Sequence, residues 1–144
     1  MSLVRDLLNK KGHDVATVER DATVFEAIRL MNERRIGAVV VMQEGRIAGI
    51  FTERDVMNRV AGAERDPKKT KVHEVMTDKV AFCVQNTTID ACRSVMTRHK
   101  LRHLPVVEGG KLVGMVSSGD ILAQELQESE ETIKYLHEYM QGPR

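Results

Sequence analysis

At 144 residues and a net charge of +1, from 22 Lys+Arg against 21 Asp+Glu, the chain can bury one respectable core but has no overall pull toward polyanions or membranes. Aromatic residues make up 3% and Trp is absent, so the core must be aliphatic, and base stacking along a nucleic acid is excluded as a main activity. Two cysteines without a CxxC pair, Cys83 and Cys92, read as reduced, buried thiols of a cytoplasmic protein, and the charged start resembles neither a secretory signal nor a membrane span.

In chain order, residues 3–10 read as a short amphipathic helix ended by Gly12, and residues 15–18 as a first strand. Thr23 then opens a helix, with Glu26 completing a capping box and Val24, Ile28 and Met31 on its inward face. Residues 37–42 are too apolar to be a half-exposed strand, residues 43–46 form a turn, and residues 47–51 return. A helix from Glu53 runs to about Ala61, and a polar stretch with Gly62 and Pro67 follows as a linker.

From here the chain repeats itself: residues 23–57 lie over 88–122 without a gap, with identities at Thr23/Thr88, Met31/Met96, Val41/Val106, Gly45/Gly110, Gly49/Gly114 and Asp55/Asp120. A fainter echo sets Val4-Arg5-Asp6-Leu7-Leu8 against Val72-His73-Glu74-Val75-Met76, offset by three further residues. The second pass predicts a strand at 80–84, a helix at 88–98 whose capping box lacks its acid at Ala91, a hairpin of 103–107 and 112–116, and a helix from Asp120. The resulting division is a first repeat with its N-terminal helix at 1–61, a linker at 62–71, a second repeat at 72–122 and a helical tail at 123–144. In the tail, Leu126, Ile133 and Met140 stand seven apart, with Leu122 and Leu136 beside them and Ser129 breaking the seam; it serves either a dimer contact or a helix folded back on its own domain.

The two strings that close the hairpins, Gly49-Ile50-Phe51-Thr52-Glu53-Arg54-Asp55 and Gly114-Met115-Val116-Ser117-Ser118-Gly119-Asp120, hand a buried strand over to a helix. The hydroxyl caps the helix, and the exposed amides of a helix start attract anions. A carboxylate one turn on can accept two hydrogen bonds side by side, which suits a vicinal diol. Small residues at Ala16, Gly37 and Ala38 leave room for a flat base against strand backbone, with Ile50, Phe51 and Met115 as apolar neighbours.

The repeated βαββα pattern with its GIFTERD and GMVSSGD strings resembles tandem cystathionine-β-synthase (CBS) domains, a Bateman module, of the small stand-alone bacterial type. The resemblance runs from about Val4 to Leu122. It implies an α+β fold of two repeats packed about a pseudo-twofold axis, with N-terminal and C-terminal helices, and two clefts for an adenosine ligand. AMP or NAD(H) comes first among ligands, with ADP, ATP and S-adenosylmethionine as further members of the class. Carried onto this sequence, the first site takes Thr52, Arg54 and Asp55 and borrows Val80, Ala81, Arg102, His103, Leu104 and Pro105. The second takes Met115, Ser117 and Asp120 and borrows Val15, Ala16, Thr17, Gly37 and Ala38. Arg54 becomes Gly119 in the copy, so positive charge is expected to concentrate at the Asp55 cleft and hold a phosphate there more tightly.

Other chemistry finds little support. The strings are also ordinary capping boxes, His99 and His103 lack a third ligand for a metal, and the Lys68-Lys69-Thr70-Lys71 run reads as solvated linker. Nucleotide-loop, metalloprotease and nucleophile-elbow motifs are missing, so the expectation is a non-enzymatic regulatory module. It is expected to act as a homodimer, changing conformation with its ligand and signalling to a separate effector protein. The alternative is an interaction scaffold with non-functional clefts.

Overall fold

The computed structural model describes residues 2–128 of the chain. Helix α1 (Val4–Lys11) is followed by β1 (Thr17–Glu19), α2 (Val24–Arg34) and a hairpin of β2 (Ala38–Gln43) and β3 (Arg46–Thr52). Helix α3 leaves directly from β3: its first turn, Glu53–Asp55, is α-helical, and it widens to π geometry over Val56–Ala61. A single 3-10 turn at Val72–Glu74 leads to α4 (Ile89–His99), a second hairpin of β4 (His103–Glu108) and β5 (Lys111–Ser117), and α5 (Ser118–Glu128). The α+β order is the expected one. The capping box at Thr23 and Glu26 is formed, and α4 has the Thr88 cap without the reciprocal arm.

The two hairpins are built alike because their sequences are. Both turn through two residues of positive φ, Glu44 at 50° and Gly45 at 77°, Gly109 at 55° and Gly110 at 78°, which is the backbone twist a two-residue hairpin turn needs. Pairing runs from Ala38↔Thr52 to Val41↔Gly49 and from His103↔Ser117 to Val106↔Gly114, then skips Ala48 and Val113, so each returning strand is bulged at the same place. Glycine is needed beside that bulge. A Cβ on Gly49 would lie 2.6 Å from Met76 Sδ, and one on Gly114 would lie 2.8 Å from both Leu8 methyls.

Those close approaches belong to an exchange between the halves. Val4, Leu7 and Leu8 of α1 are buried among Cys92, Leu104, Val106 and Val116, the core of the second repeat. Val72 and Val75 are buried among Val24, Val39, Val41 and Phe51, the core of the first. The backbone bonds match pair for pair: Val72 N–H to the Ala22 carbonyl (2.8 Å) and Val24 N–H to that of Thr70 (2.9 Å), against Val4 N–H to that of Thr87 (2.8 Å) and Ile89 N–H to that of Ser2 (2.9 Å). The faint echo in the sequence is therefore a structural repeat, in which each segment docks on the half it does not lead into.

A third cluster joins the sheets. Alternation along β2 sends Val39 and Val41 into their own repeat and Ala38 and Val40 the other way. There they meet Ile50, Met115, Val15, Val80, Ile47 and Leu112, which pair off as equivalent positions of the two repeats. The hairpins thus share one apolar seam about a pseudo-twofold axis.

Two strand expectations need correction. The first strand forms at Thr17–Glu19 rather than at 15–18. The strand expected at 80–84 is reduced to one parallel bridge, Cys83↔Val106, in the register of Val18↔Val41. The partner strand differs: in the first repeat the Val40 N–H donates to the Ala16 carbonyl at 3.0 Å, but the equivalent residue is Pro105, which has no N–H, so the ladder keeps only Cys83 N–H to the Pro105 carbonyl (3.0 Å) and Val107 N–H to the Cys83 carbonyl (2.9 Å). Of the tail, Leu122 and Leu126 lie on α5 and are exposed; Ser129, Ile133, Leu136 and Met140 fall outside the described residues.

Candidate functional site

Thr52 closes β3 and caps α3, with its Oγ1 accepting the Asp55 N–H at 3.4 Å. The reciprocal arm turns the Asp55 carboxylate back toward the strand: Oδ2 accepts the Thr52 N–H at 3.0 Å. Two groups that the sequence reading missed complete its surroundings. Thr77 Oγ1 donates to Oδ1 at 3.1 Å, and Arg59 Nε, one helical turn on, stands 3.8 Å from the same oxygen. Thr77 is brought there by backbone bonds of 2.9 Å in both directions with Ile50. Both oxygens of Asp55 are thereby engaged, and its side chain is only 7% exposed.

The copy is built on the same frame with a different partner. Asp120 N–H donates to Ser117 Oγ at 3.0 Å, and Asp120 Oδ2 accepts the Ser117 N–H at 2.9 Å. Where the first repeat has Thr77, the second has Lys11 from the last turn of α1, whose Nζ is 2.6 Å from Asp120 Oδ2 and 2.9 Å from the Met115 carbonyl. Met115 is the equivalent of Ile50, so one ammonium covers the roles that the Thr77 amide and hydroxyl divide. Burial alone would raise the Asp120 carboxyl; the Lys11 bond and the Ser117 amide outweigh it and hold the group below the usual carboxylate range. Its side chain is 25% exposed, and Oδ1 has no protein donor among the described residues.

The remaining predicted site residues fall at several places in the fold. Arg54 is exposed, and its guanidinium spans to the other repeat, donating to the Lys100 carbonyl at 2.9 Å. Gly37 lies at the seam: a Cβ there would collide with the Glu53 carboxylate and come 3.4 Å from His103 Cε1. His103 sits between Glu53 and Asp120; burial lowers its pKa, and those two carboxylates partly restore it. Val15, Ala38, Val80 and Met115 line the shared apolar seam, while Ala16 and Leu104 are buried in the cores of their own repeats. Ala81 packs against the second core, Pro105 is buried opposite Met115, Thr17 is exposed on β1, and Arg102 is exposed with its carbonyl accepting the Ser118 N–H at 2.8 Å.

Two cavities, of about 190 and 260 Å³, open beside α4 and α5, and Arg102 is the one predicted site residue on their walls. Neither is bordered by Asp55 or Asp120. Among the described residues there is no cluster of His, Cys, Asp or Glu able to hold a metal ion, and no helix is long and apolar enough to cross a membrane.

With this geometry in hand, comparison with known proteins is informative. A family model described as CBS domain matches the chain twice, at residues 4–62 and 72–126. The CBS domain-containing protein YhcV of Bacillus subtilis is 33% identical over 126 residues, which is 88% of this chain and 87% of that one. A crystal structure of a CBS-domain containing protein from Agrobacterium tumefaciens is similar at 41% identity and a TM-score of 0.82, covering 86% of this chain and 99% of that one. The CBS domain pair of protein MJ0100, solved with 5'-methylthioadenosine and S-adenosyl-L-methionine, shares the fold at 24% identity and a TM-score of 0.78, covering 89% of this chain and 98% of that one.

Proposed function

The chain belongs to the CBS-domain family, and on that premise we propose that it is a non-enzymatic regulatory module that binds an adenosine ligand where its two repeats meet. AMP and NAD(H) are the first candidates; ADP, ATP and S-adenosylmethionine carry the same adenosine. The observation that carries this reading is the pair of carboxylates, Asp55 and Asp120, each one turn into a helix behind a hydroxyl cap. Each faces donors from outside its own hairpin, Thr77 in one case and Lys11 in the other. A ribose diol offers the same kind of donor, so sugar hydroxyls can take the places these groups hold. That an adenosine compound sits on the CBS pair of MJ0100 is in keeping with this chemistry.

A ligand touching both repeats favours one arrangement of the seam over another only through differential contact, and that difference is the signal passed to a separate effector. Met57 on α3 and Leu122 on α5 occupy equivalent positions of the repeats and are 65% and 56% exposed, which supports a homodimer through these helices. The proposed compartment is the cytoplasm, in keeping with two free, buried thiols. A scaffold with idle clefts is the second reading, favoured by the protein donors already on both carboxylates and by cavities that lie elsewhere.

Thermal unfolding with AMP, NAD, ADP, ATP and S-adenosylmethionine separates the two. A ligand that binds only the folded chain stabilises it by about 2.7 kcal/mol at a hundredfold excess over its Kd, so the midpoint climbs with concentration. The shift is expected with at least one of these compounds and is expected to vanish when Asp55→Asn and Asp120→Asn are combined. Flat midpoints for all five compounds would leave the scaffold reading standing.

A further inference from the structure

The two carboxylates occupy equivalent positions, but what holds them is not equivalent. Asp55 is buried with both oxygens engaged; its hydrogen-bond donor from outside the hairpin is the neutral Thr77 hydroxyl, and the nearby cation, Arg59 at 3.8 Å, comes from its own helix and also donates to the Met76 carbonyl at 2.7 Å. Asp120 is backed by an ammonium, is more exposed, and keeps Oδ1 clear of protein donors among the described residues. Lys11 is held at this spot by its helix: Leu8, one turn earlier, is fully buried against Gly114, and Gly12 ends α1 with φ 101° and its N–H on the Leu8 carbonyl at 2.7 Å. Its two bonds, to Met115 and Asp120, use two of the three ammonium hydrogens.

Resting on the reading above, we infer that the Asp120 cleft selects a phosphorylated adenosine ligand over a neutral one, and that Lys11 is the residue that selects it. The sugar hydroxyls take the Asp120 carboxylate, and the ammonium they displace pairs with the ligand's phosphate. The physics is an exchange of partners. The Lys11 side chain is 31% exposed, so an ammonium that loses its carboxylate to a neutral nucleoside is left partly desolvated and unpaired. A phosphate beside the ribose restores a charge-assisted bond at that point. The phosphate is thereby assigned to the cleft where Gly119 replaces Arg54, opposite to the expectation from local charge. Arg54 points to the Lys100 carbonyl, and the cation that serves the second cleft comes from a helix more than a hundred positions earlier in the chain.

The test is NMR titration of the full chain with AMP and with adenosine, following the amides of Ser117 to Asp120 so that this cleft is read apart from the Asp55 cleft. Wild type, Lys11→Gln and Lys11→Arg are compared. The expected result is that Lys11→Gln weakens AMP by roughly tenfold or more, the scale of a lost charge-assisted hydrogen bond, while adenosine binds equally or more tightly because Asp120 is released. Lys11→Arg retains the preference for AMP. Equal weakening of both ligands would reduce Lys11 to a strut for α1 and overturn the inference, as would unchanged affinity for both; either leaves the adenosine-binding reading in place. If neither AMP nor adenosine moves any amide in the wild-type chain, the inference falls with the adenosine reading itself for these two ligands.

Discussion

The exchange of segments between the halves makes a quantitative claim about Leu8. It is fully buried, and the core it belongs to is that of the second repeat, not of the repeat that its position in the sequence leads into. Truncation of a buried Leu to Ala costs about 2–5 kcal/mol, depending on how far the surroundings relax. The neighbour here is Gly114, which has no side chain to swing into the gap, and the β5 backbone is fixed by its ladder. Leu8→Ala should therefore sit near the middle of that range, roughly 3 kcal/mol. Gly114→Ala alone puts a methyl 2.8 Å from both Leu8 methyls, an overpacking that costs about 1–3 kcal/mol. In the double variant the new methyl enters the space that Leu8 vacated, so the pair should be less damaging than the sum by about 1 kcal/mol or more. Urea unfolding of the four proteins measures the coupling, and hydrogen exchange locates it: Leu8→Ala should lower protection at Val106 and Val116 before Val41 and Phe51. Additive effects, or protection lost first in the first repeat, would refute the exchange of segments.

Other consequences rest on single contacts. The Asp120 carboxyl is held below its usual value of 3.8, so its stabilising contribution is fully present above that pH and is lost as pH falls through the lower folded value. The melting gap between wild type and Asp120→Asn should close as pH is taken from 6 toward 2.5, and a gap that persists unchanged in acid would show that the charge contributes nothing. Ala91 is exposed at the position where the first repeat has the capping Glu26, so Ala91→Glu should complete the second box and raise stability by about 0.3–1 kcal/mol, read as a higher urea midpoint. A lower midpoint would mean that the Thr88 amide is not available to the new acid.

The features legible in the sequence are those that depend on neighbours in the chain. The hairpins follow from alternation and from turn residues that tolerate positive φ, and the helix starts follow from Thr23, Thr52, Thr88 and Ser117, each of which accepts the amide three residues on. The apolar run at 80–84 carries the same strand signal as its counterpart, but its partner strand has Pro105 where Val40 supplies a ladder N–H in the first repeat. Docking of α1 on the far repeat was present only as the faint echo with its offset of three residues, which taken seriously would have set the end of α1 against Asp120 as Thr77 is set against Asp55. Lys11 gave no signal of its own, because a Lys in the last turn of a helix is accounted for by the helix dipole. For Arg54, adjacency to Asp55 in sequence does not specify the direction of a long exposed side chain, and this one donates to a carbonyl of the other repeat.

The way the second half departs from the first shows how a repeated frame yields two carboxylate sites of different character. The backbone repeats down to the bulges at Ala48 and Val113, so the carboxylates, caps and glycines must fall at matching places. The docking segments are released from that constraint, because one comes from the start of the chain and the other from between the repeats, and only their apolar residues have to match the groove beside Gly49 or Gly114. Beyond those apolar residues the two segments are free to differ. In the first half the chain passes Met76 and lays Thr77 along Ile50 as a backbone bridge, so a short hydroxyl joins Arg59 at the carboxylate and the group is sealed. In the second half the helix runs one turn past Leu8 and stops at Gly12, the backbone stays away from Met115, and only a long side chain can close the distance. A hydroxyl fixed by a bridging backbone is hard to displace, whereas an ammonium on a four-carbon stem moves by rotation alone. Accessibility at the two aspartates therefore follows where the docking segment stops being backbone, while the neighbouring cation is Arg59 from the carboxylate's own helix in the first half and Lys11 from the docking helix in the second.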